Sequence, residues 1–319
     1  MNVIFGSGIV GLLAKFMLGS SWTVVPFYRS RFFSFNPALD DNFIIGDDEI
    51  EPFIKELTRD IAKPQTFLYR RAWSIQGHLL PTWDDGLCQD WLSKIFGVNP
   101  PPQAQPYYRN RMDLHVYDLR LNEIYQQLVN QYMTELQEEA KKGTVTEVGN
   151  NYFIRDGVRY NFDKAISTIP LDVLAKLMNS NVNLPSKAIH YLHIQTKDLN
   201  FEGFNQILVT DPMFSFFKAT NIAPGRYMIY CHENIPDPGA YFMSFMPKFE
   251  ILDGTSITNA IPIGPMPNLS AVEAAGITCV GSYAQWDWCM DVGSCILKLI
   301  RYTNRGNKPT DGLRPIEIR

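Results

Sequence analysis

The stretch Asn2-Val3-Ile4-Phe5-Gly6-Ser7-Gly8-Ile9-Val10-Gly11-Leu12-Leu13-Ala14-Lys15-Phe16-Met17-Leu18 decides the fold. Four apolar-leaning residues read as a short buried strand, a G-x-G-x-x-G turn follows at once, and the apolar run after it reads as a helix. That order is the context in which the glycine pattern signals a dinucleotide diphosphate. Gly6 allows the tight turn out of the strand, Gly8 lets backbone approach a pyrophosphate, and Gly11 lets the helix pack close to the sheet. The first-turn amides, from Ser7 through Ile9 and Val10, and the helix dipole then favour an anion. A secretory leader is the competing reading of so apolar a start. It is disfavoured because no positive region precedes the run and Lys15 interrupts it.

Outward from this turn, Trp22 to Tyr28 reads as the second strand of a βαβ unit. A dinucleotide fold usually carries Asp or Glu there, about 20 residues after the glycines, to hold a ribose. This chain has Pro26-Phe27-Tyr28-Arg29-Ser30-Arg31 and no acid. Ser30 or an arginine is left to serve the ribose, and Arg29 suits a phosphate.

Composition bounds the rest. The 319 residues allow one large or two moderate domains, and 45% hydrophobic with 19% charged residues is the balance of an ordinary globular protein. A net charge of −4 argues against a general nucleic-acid-binding surface. No apolar run reaches the roughly 20 residues that cross a bilayer, and a cytoplasmic protein is expected. Cys88, Cys231, Cys279, Cys289 and Cys295 form no C-x-x-C pair, so buried reduced thiols are expected. The five histidines are scattered; His190 and His193 fall on opposite faces of a strand, and no metal site is expected. Neither a nucleophile elbow, an H-E-x-x-H pair nor a Walker lysine occurs.

Along the chain, Asp47 to Ala62 has helical apolar spacing at Ile50, Phe53, Ile54, Leu57 and Ile61. A further helix is read over Asp90 to Phe96. The proline-rich run Asn99 to Pro106 is not expected to be regular structure and reads as a rigid connector or an active-site loop, beside Tyr107, Tyr108, Arg109 and Arg111. A long helix over Leu119 to Lys142 ends at Gly143, three short strands turn at Gly149-Asn150-Asn151 and Asp156-Gly157, and a strand ends at Ser167-Thr168-Ile169-Pro170. Helix is expected again over Leu171 to Met178. Antiparallel strands are expected at Ala188–Ile194, Gln206–Val209, Phe214–Ala219 and Arg226–Cys231. The low-charge segment Gly254 to Pro267 reads as a long loop. A strand at Ile277–Val280, Gly281-Ser282-Tyr283-Ala284-Gln285-Trp286, and a helix opened by Asp291-Val292-Gly293-Ser294 close the fold.

Three separated segments resemble one family. Val3–Gly11 looks like the flavin-binding start of the amine-oxidase-like FAD superfamily, which includes monoamine oxidases, protoporphyrinogen oxidase and UDP-galactopyranose mutase. Phe162–Pro170 is similar to its strand returning to the FAD domain, and Val280–Trp286 resembles its last glycine motif. The resemblance implies an α/β fold: a Rossmann-like FAD-binding domain with a mostly parallel sheet and a β-meander, interleaved with a smaller α+β substrate domain. The FAD domain would comprise 1–46, 119–180 and 269–302, the substrate domain 47–118 and 181–268, and 303–319 a polar tail. FAD contacts are implied at Gly6, Ser7, Gly8, Ile9, Val10, Gly11, Arg29, Val145, Thr168, Pro170, Gly281, Ser282, Trp286, Asp291 and Val292. The last two lie where the family points a helix N-terminus at the flavin ring. Lys218, on a strand that family members bring across the flavin, is the expected cation near N1/N5, since a cation there stabilises reduced flavin. Arg109 is the expected binder of an anionic substrate.

The implied activity is FAD-dependent oxidation of an amine or related small molecule, with hydride passing to flavin N5. The alternatives are a non-redox flavoenzyme of the UDP-galactopyranose mutase type and a non-catalytic binding subunit on the same fold. A small-molecule substrate is the expected partner, and a homodimer is compatible with the reading.

Overall fold

The computed structural model describes residues 1–27, 43–58, 65–98, 100–109, 111–180, 184–199, 201–232, 235–244, 246, 248–263, 267–287 and 289–304, with only the backbone for 258–260. Strand β1 (Asn2–Phe5) lies at the centre of a four-stranded parallel sheet. It pairs with β2 (Trp22–Val25) on one side and β9 (Lys164–Ser167) on the other, and β15 (Ile277–Cys279) adds beyond β9. Residues Val3, Ile4 and Phe5 are all fully buried, which is why this strand is apolar without alternation.

Both faces of the sheet are covered. Ile4 and Ile166 pack under helices α1 (Ile9–Leu18), α5 (Leu121–Lys141) and α10 (Val292–Asn304), through Leu12, Leu13, Ile124, Leu128, Ile296 and Leu299. Val3, Phe5 and Ala165 face the meander β6 (Val145–Gly149), β7 (Tyr152–Arg155) and β8 (Val158–Asn161), joined by α6 (Leu171–Leu177). Phe5 meets Phe153 edge to face at 5.5 Å. Lys15, the one charge in the opening apolar run, is buried and neutralised: Nζ sits 2.9 Å from Glu135 of α5 and donates to the carbonyl of Trp22. The helix is thus fastened to the edge strand instead of being broken by its lysine.

The second sheet has eight strands among the described residues, in the order β14-β10-β13-β12-β11-β3-β4, with β5 also on β3. Its strands are β3 (Thr66–Ile75), β4 (His78–Leu80), β5 (Asp113–Tyr117), β10 (Ser186–Thr196), β11 (Gln206–Val209), β12 (Phe216–Ala223), β13 (Arg226–Cys231) and β14 (Phe249–Pro262). All pairings are antiparallel except β11 on β3. Trp73, Tyr191, Phe217, Met228 and Tyr230 form one face, packed on α3 (Asp85–Phe96) and α4 (Ala104–Arg109). Leu192, Ile194, Ile229 and Cys231 form the other, which takes Phe242 of α7 (Pro238–Met243).

Three expectations need correction. Gly254–Pro262 is not loop but the second part of β14, whose partner β10 runs alongside it over its whole length. Thr255, Ile257 and Ile261 suit a pleated strand, and pairing with β10 outweighs the glycine signal. The proline-rich run is not wholly irregular: α4 begins inside it at Ala104, and Pro106 sits in the first turn, where no intrahelical N–H is needed. Helix α3 starts at Asp85, five residues earlier than expected, because Asp84 caps it by accepting from the Leu87 amide at 2.8 Å. The helix expected from Asp47 is α2 (Glu51–Leu57), and its end beyond Thr58 lies outside the described residues. Strands β3, β4 and β5 have no counterpart in the sequence reading. The closing tail lies outside the described residues from position 305, and Thr303 and Asn304 belong to α10.

Candidate functional site

The glycine turn lies at the C-terminal ends of the parallel strands, the crevice where open α/β sheets bind ligands. Gly6 has φ +107°, and a side chain there would meet Thr168 Oγ1 at 2.6 Å. Its amide donates to the Val25 carbonyl at 3.0 Å, closing the turn onto β2. A Cβ on Gly11 would stand 2.1 Å from the Gly6 carbonyl oxygen, so helix α1 is seated directly on the turn. At Gly8 a Cβ would meet no atom of the described residues within 4 Å. The middle glycine alone therefore faces open space, and the space borders the N-terminus of α1. A diphosphate fits that cradle, since it needs exposed amides and no side chain between them.

Neighbouring strands complete the crevice. The Thr168 amide and hydroxyl both donate to the Phe5 carbonyl, at 2.9 and 3.0 Å, and tie the end of β9 to the start of the turn. Pro170 caps α6. The Tyr125 hydroxyl reaches the Ser7 carbonyl at 3.3 Å. Val145 is buried in the meander core. Beside β9, the Ser167 hydroxyl is buried without a hydrogen-bond partner.

A second turn follows β15. The Val280 amide donates to Ser167, and Gly281 takes φ +121° before the four-residue helix α9 (Ser282–Gln285). Trp286 ends α9 in the left-handed conformation; it is buried, and its indole N–H has no partner among the described residues. Asp291 then caps α10 by accepting from the Ser294 amide at 2.7 Å, with Val292 as the first helical residue. Its carboxylate also takes Arg111 Nη1 at 2.7 Å and the Tyr107 hydroxyl at 2.9 Å, and the Arg111 guanidinium stacks 3.8 Å from the Tyr107 ring. Burial alone would raise the Asp291 carboxyl; the Arg111 guanidinium and the Ser294 amide outweigh it and hold the carboxyl below its ordinary value. Burial pushes the Tyr107 phenol well up, so it stays a neutral donor.

The two proposed charged residues have different surroundings. A β-bulge between Phe216 and Lys218 turns Phe217 and Lys218 toward the Tyr230 side of the second sheet, and Lys218 Nζ stands 3.5 Å from the Tyr230 ring centre. Cys289 and Tyr283, from the turn after β15, pack into the same cluster as Tyr230 and Phe217. Lys218 is thus on the sheet face that meets that turn. Arg109 is exposed on α4, and its Nη2 reaches both Asp85 oxygens, at 2.8 and 3.0 Å. Arg111, two residues on, is the arginine joined to the turn after β15. Sequence spacing does not distinguish the two, because only the fold reveals which one meets Asp291. Arg29 lies outside the described residues.

Burial pushes the thiols of Cys88, Cys231, Cys279 and Cys289 up to about 12, and all five cysteines are unpaired and buried. Among the described residues no three His, Cys, Asp or Glu side chains gather as a metal site, and no helix is long and apolar enough to cross a membrane.

No family model and no curated protein matches the chain in sequence. Solved structures do resemble it. A reduced UDP-galactopyranose mutase superposes with a TM-score of 0.62 at 12% identity, over 96% of this chain and 93% of the other. Cyclohexylamine oxidase from Brevibacterium oxydans gives 0.56 at 10% identity, over 96% and 98%. A flavin-dependent brominase gives 0.51 at 13% identity, over 97% and 81%. Identities this low speak to architecture, and architecture does not fix chemistry. The chain shares its fold with these three solved structures.

Proposed function

We propose that this chain binds FAD and is a flavin-dependent oxidoreductase acting on a small molecule. The observation that carries the reading is the glycine turn, tight at Gly6, closed at Gly11 and open only over Gly8, at the carboxyl ends of parallel strands. FAD would be held by a discontinuous unit formed by 1–46, 119–180 and 269–302, with 47–118 and 181–268 supplying the substrate side. The turn from Gly6 to Gly11 would take the diphosphate through the amides that follow Gly6, whose own amide is held by Val25, and Val145, Thr168 and Pro170 would line the adenosine side. Gly281, Ser282, Trp286, Asp291 and Val292 would meet the ribityl chain and ring; the unpartnered indole N–H of Trp286 and hydroxyl of Ser167 suit such a polar ligand.

Bound FAD would supply a two-electron acceptor, taking hydride from the substrate. The chain's own residues would position, charge and dehydrate the site. Lys218, held over Tyr230, would supply positive charge opposite the turn after β15. Arg109 would attract an anionic group only by exchanging its Asp85 partner. An amine or related molecule is the first substrate class to try. The likeness to a reduced UDP-galactopyranose mutase over almost all of both chains favours a second reading, a non-redox flavoenzyme.

The test is anaerobic mixing of FAD-loaded protein with an amine panel. Bleaching of the flavin by an amine supports the oxidase reading. Conversion of a sugar nucleotide only after dithionite reduction supports the second. Protein that takes up no FAD defeats both.

A further inference from the structure

We infer that Arg111 is a positioning residue that fixes the charge of the turn after β15, and thereby how readily the flavin proposed above is reduced. The inference rests on that flavoprotein reading. This turn carries two carboxylates, Asp287 and Asp291. Asp287 accepts from the Cys289 amide at 3.0 Å and from Gln103 at 3.2 Å, both neutral donors. Asp291 accepts from the Ser294 amide, the Tyr107 hydroxyl and Arg111. Among the described residues Arg111 alone brings a positive charge to the hydrogen bonds of these two acids, while Lys298 of α10 feels the Asp287 charge through space.

The guanidinium is held from several sides. It stacks on Tyr107 and binds Asp291, and the Arg111 main chain is held by Arg71 Nη1, which donates to its carbonyl at 2.8 Å. Arg111 precedes β5, so the second sheet supplies the cation that balances a carboxylate at the head of α10. Half-buried charges interact over several ångströms with little screening. An unbalanced carboxylate there would oppose the negative charge that reduced flavin acquires, and an unbalanced guanidinium would favour it.

The test uses full-length protein loaded with FAD and equilibrated anaerobically with a reference dye, reading the ratio of reduced to oxidised flavin at one fixed potential. Arg111→Met is expected to lower the ratio about tenfold and Asp291→Asn to raise it about tenfold, since each unbalances the pair with opposite sign. The double variant returns within about twofold of the wild type, and Arg111→Lys, which keeps the charge but not the planar stack on Tyr107, falls between the wild type and Arg111→Met. A purely structural role would lower the melting temperature in both single variants without moving the ratio in opposite directions. Asp291→Asn keeps the shape of the side chain and carries the test by itself should Arg111→Met not fold. Wild-type protein that binds no FAD overturns the flavoprotein reading and this inference with it. FAD-loaded protein whose ratio is unmoved in Asp291→Asn, or falls, overturns this inference alone.

Discussion

The turn after β1 and the turn after β15 stand at the same end of one parallel sheet and are built by opposite means. Between Gly6 and Gly11 the backbone is shaped by missing side chains: one glycine takes a left-handed φ, one touches a carbonyl, and one faces space. Between Gly281 and Ser294 it is shaped by side chains that are present, with Trp286 buried and Asp291 bound by Arg111, Tyr107 and a helix amide. The first turn takes its shape from its own glycines, and Val25, Thr168 and Tyr125 pin it by neutral hydrogen bonds. The second borrows its charge balance from a segment 180 residues away in sequence. A turn made of glycines fails by steric clash, whereas one made of a charge pair fails by desolvation.

Substitutions can break that contrast. Gly11→Ala puts a methyl 2.1 Å from the Gly6 carbonyl, where neither partner is a flexible side chain, and should cost about 3 kcal/mol in urea unfolding. Arg111→Met leaves the half-buried Asp291 carboxylate without its cation and should cost about 2 kcal/mol by the same measurement. Gly8→Ala, in open space, should leave the unfolding midpoint within about 0.5 kcal/mol of the wild type while weakening FAD uptake, read by fluorescence titration. A Gly8→Ala protein that is as unstable as Gly11→Ala would erase the distinction within the first turn.

The pH dependence sharpens the account of the second turn. The folded carboxyl of Asp291 is held below its ordinary value, so the folded state binds fewer protons than the unfolded one through the acid range. Its contribution is complete above about pH 4, the ordinary carboxyl value, and is lost as the pH falls through the folded value. Asp291→Asn should therefore flatten the acid limb of the stability profile, measured by thermal unfolding from neutral to acid pH. The smallest effect is expected at Arg109. Its pair with Asp85 is exposed on both sides, and Arg109→Ala should melt indistinguishably from the wild type.

How much of this was legible depended on the range of the cause. The glycine turn, the long helix α5 and the meander were readable because local residues determine them: Gly6, the apolar stripe of Ile124 and Leu128, and Asp156-Gly157. Strand β14 was not, because Gly254 and Pro262 read as loop until β10 is placed beside them. Lys15 looked like an interruption, and only α5 brings Glu135 to it. The same limit applied at the second turn. Asp291 was visible as a helix opener, but its pairing with Arg111 instead of a free role at the helix end follows from tertiary structure. The segment that would carry a ribose-binding group, around Arg29, lies outside the described residues.

On the proposed reading, the open space over Gly8 belongs to a flavin nucleotide. The most direct measurement is the absorption spectrum of the purified full-length protein, before and after equilibration with FAD and gel filtration. A yellow protein with oxidised-flavin bands is expected, its flavin released on denaturation and lower in amount in Gly8→Ala. A colourless protein that retains no FAD would contradict that reading.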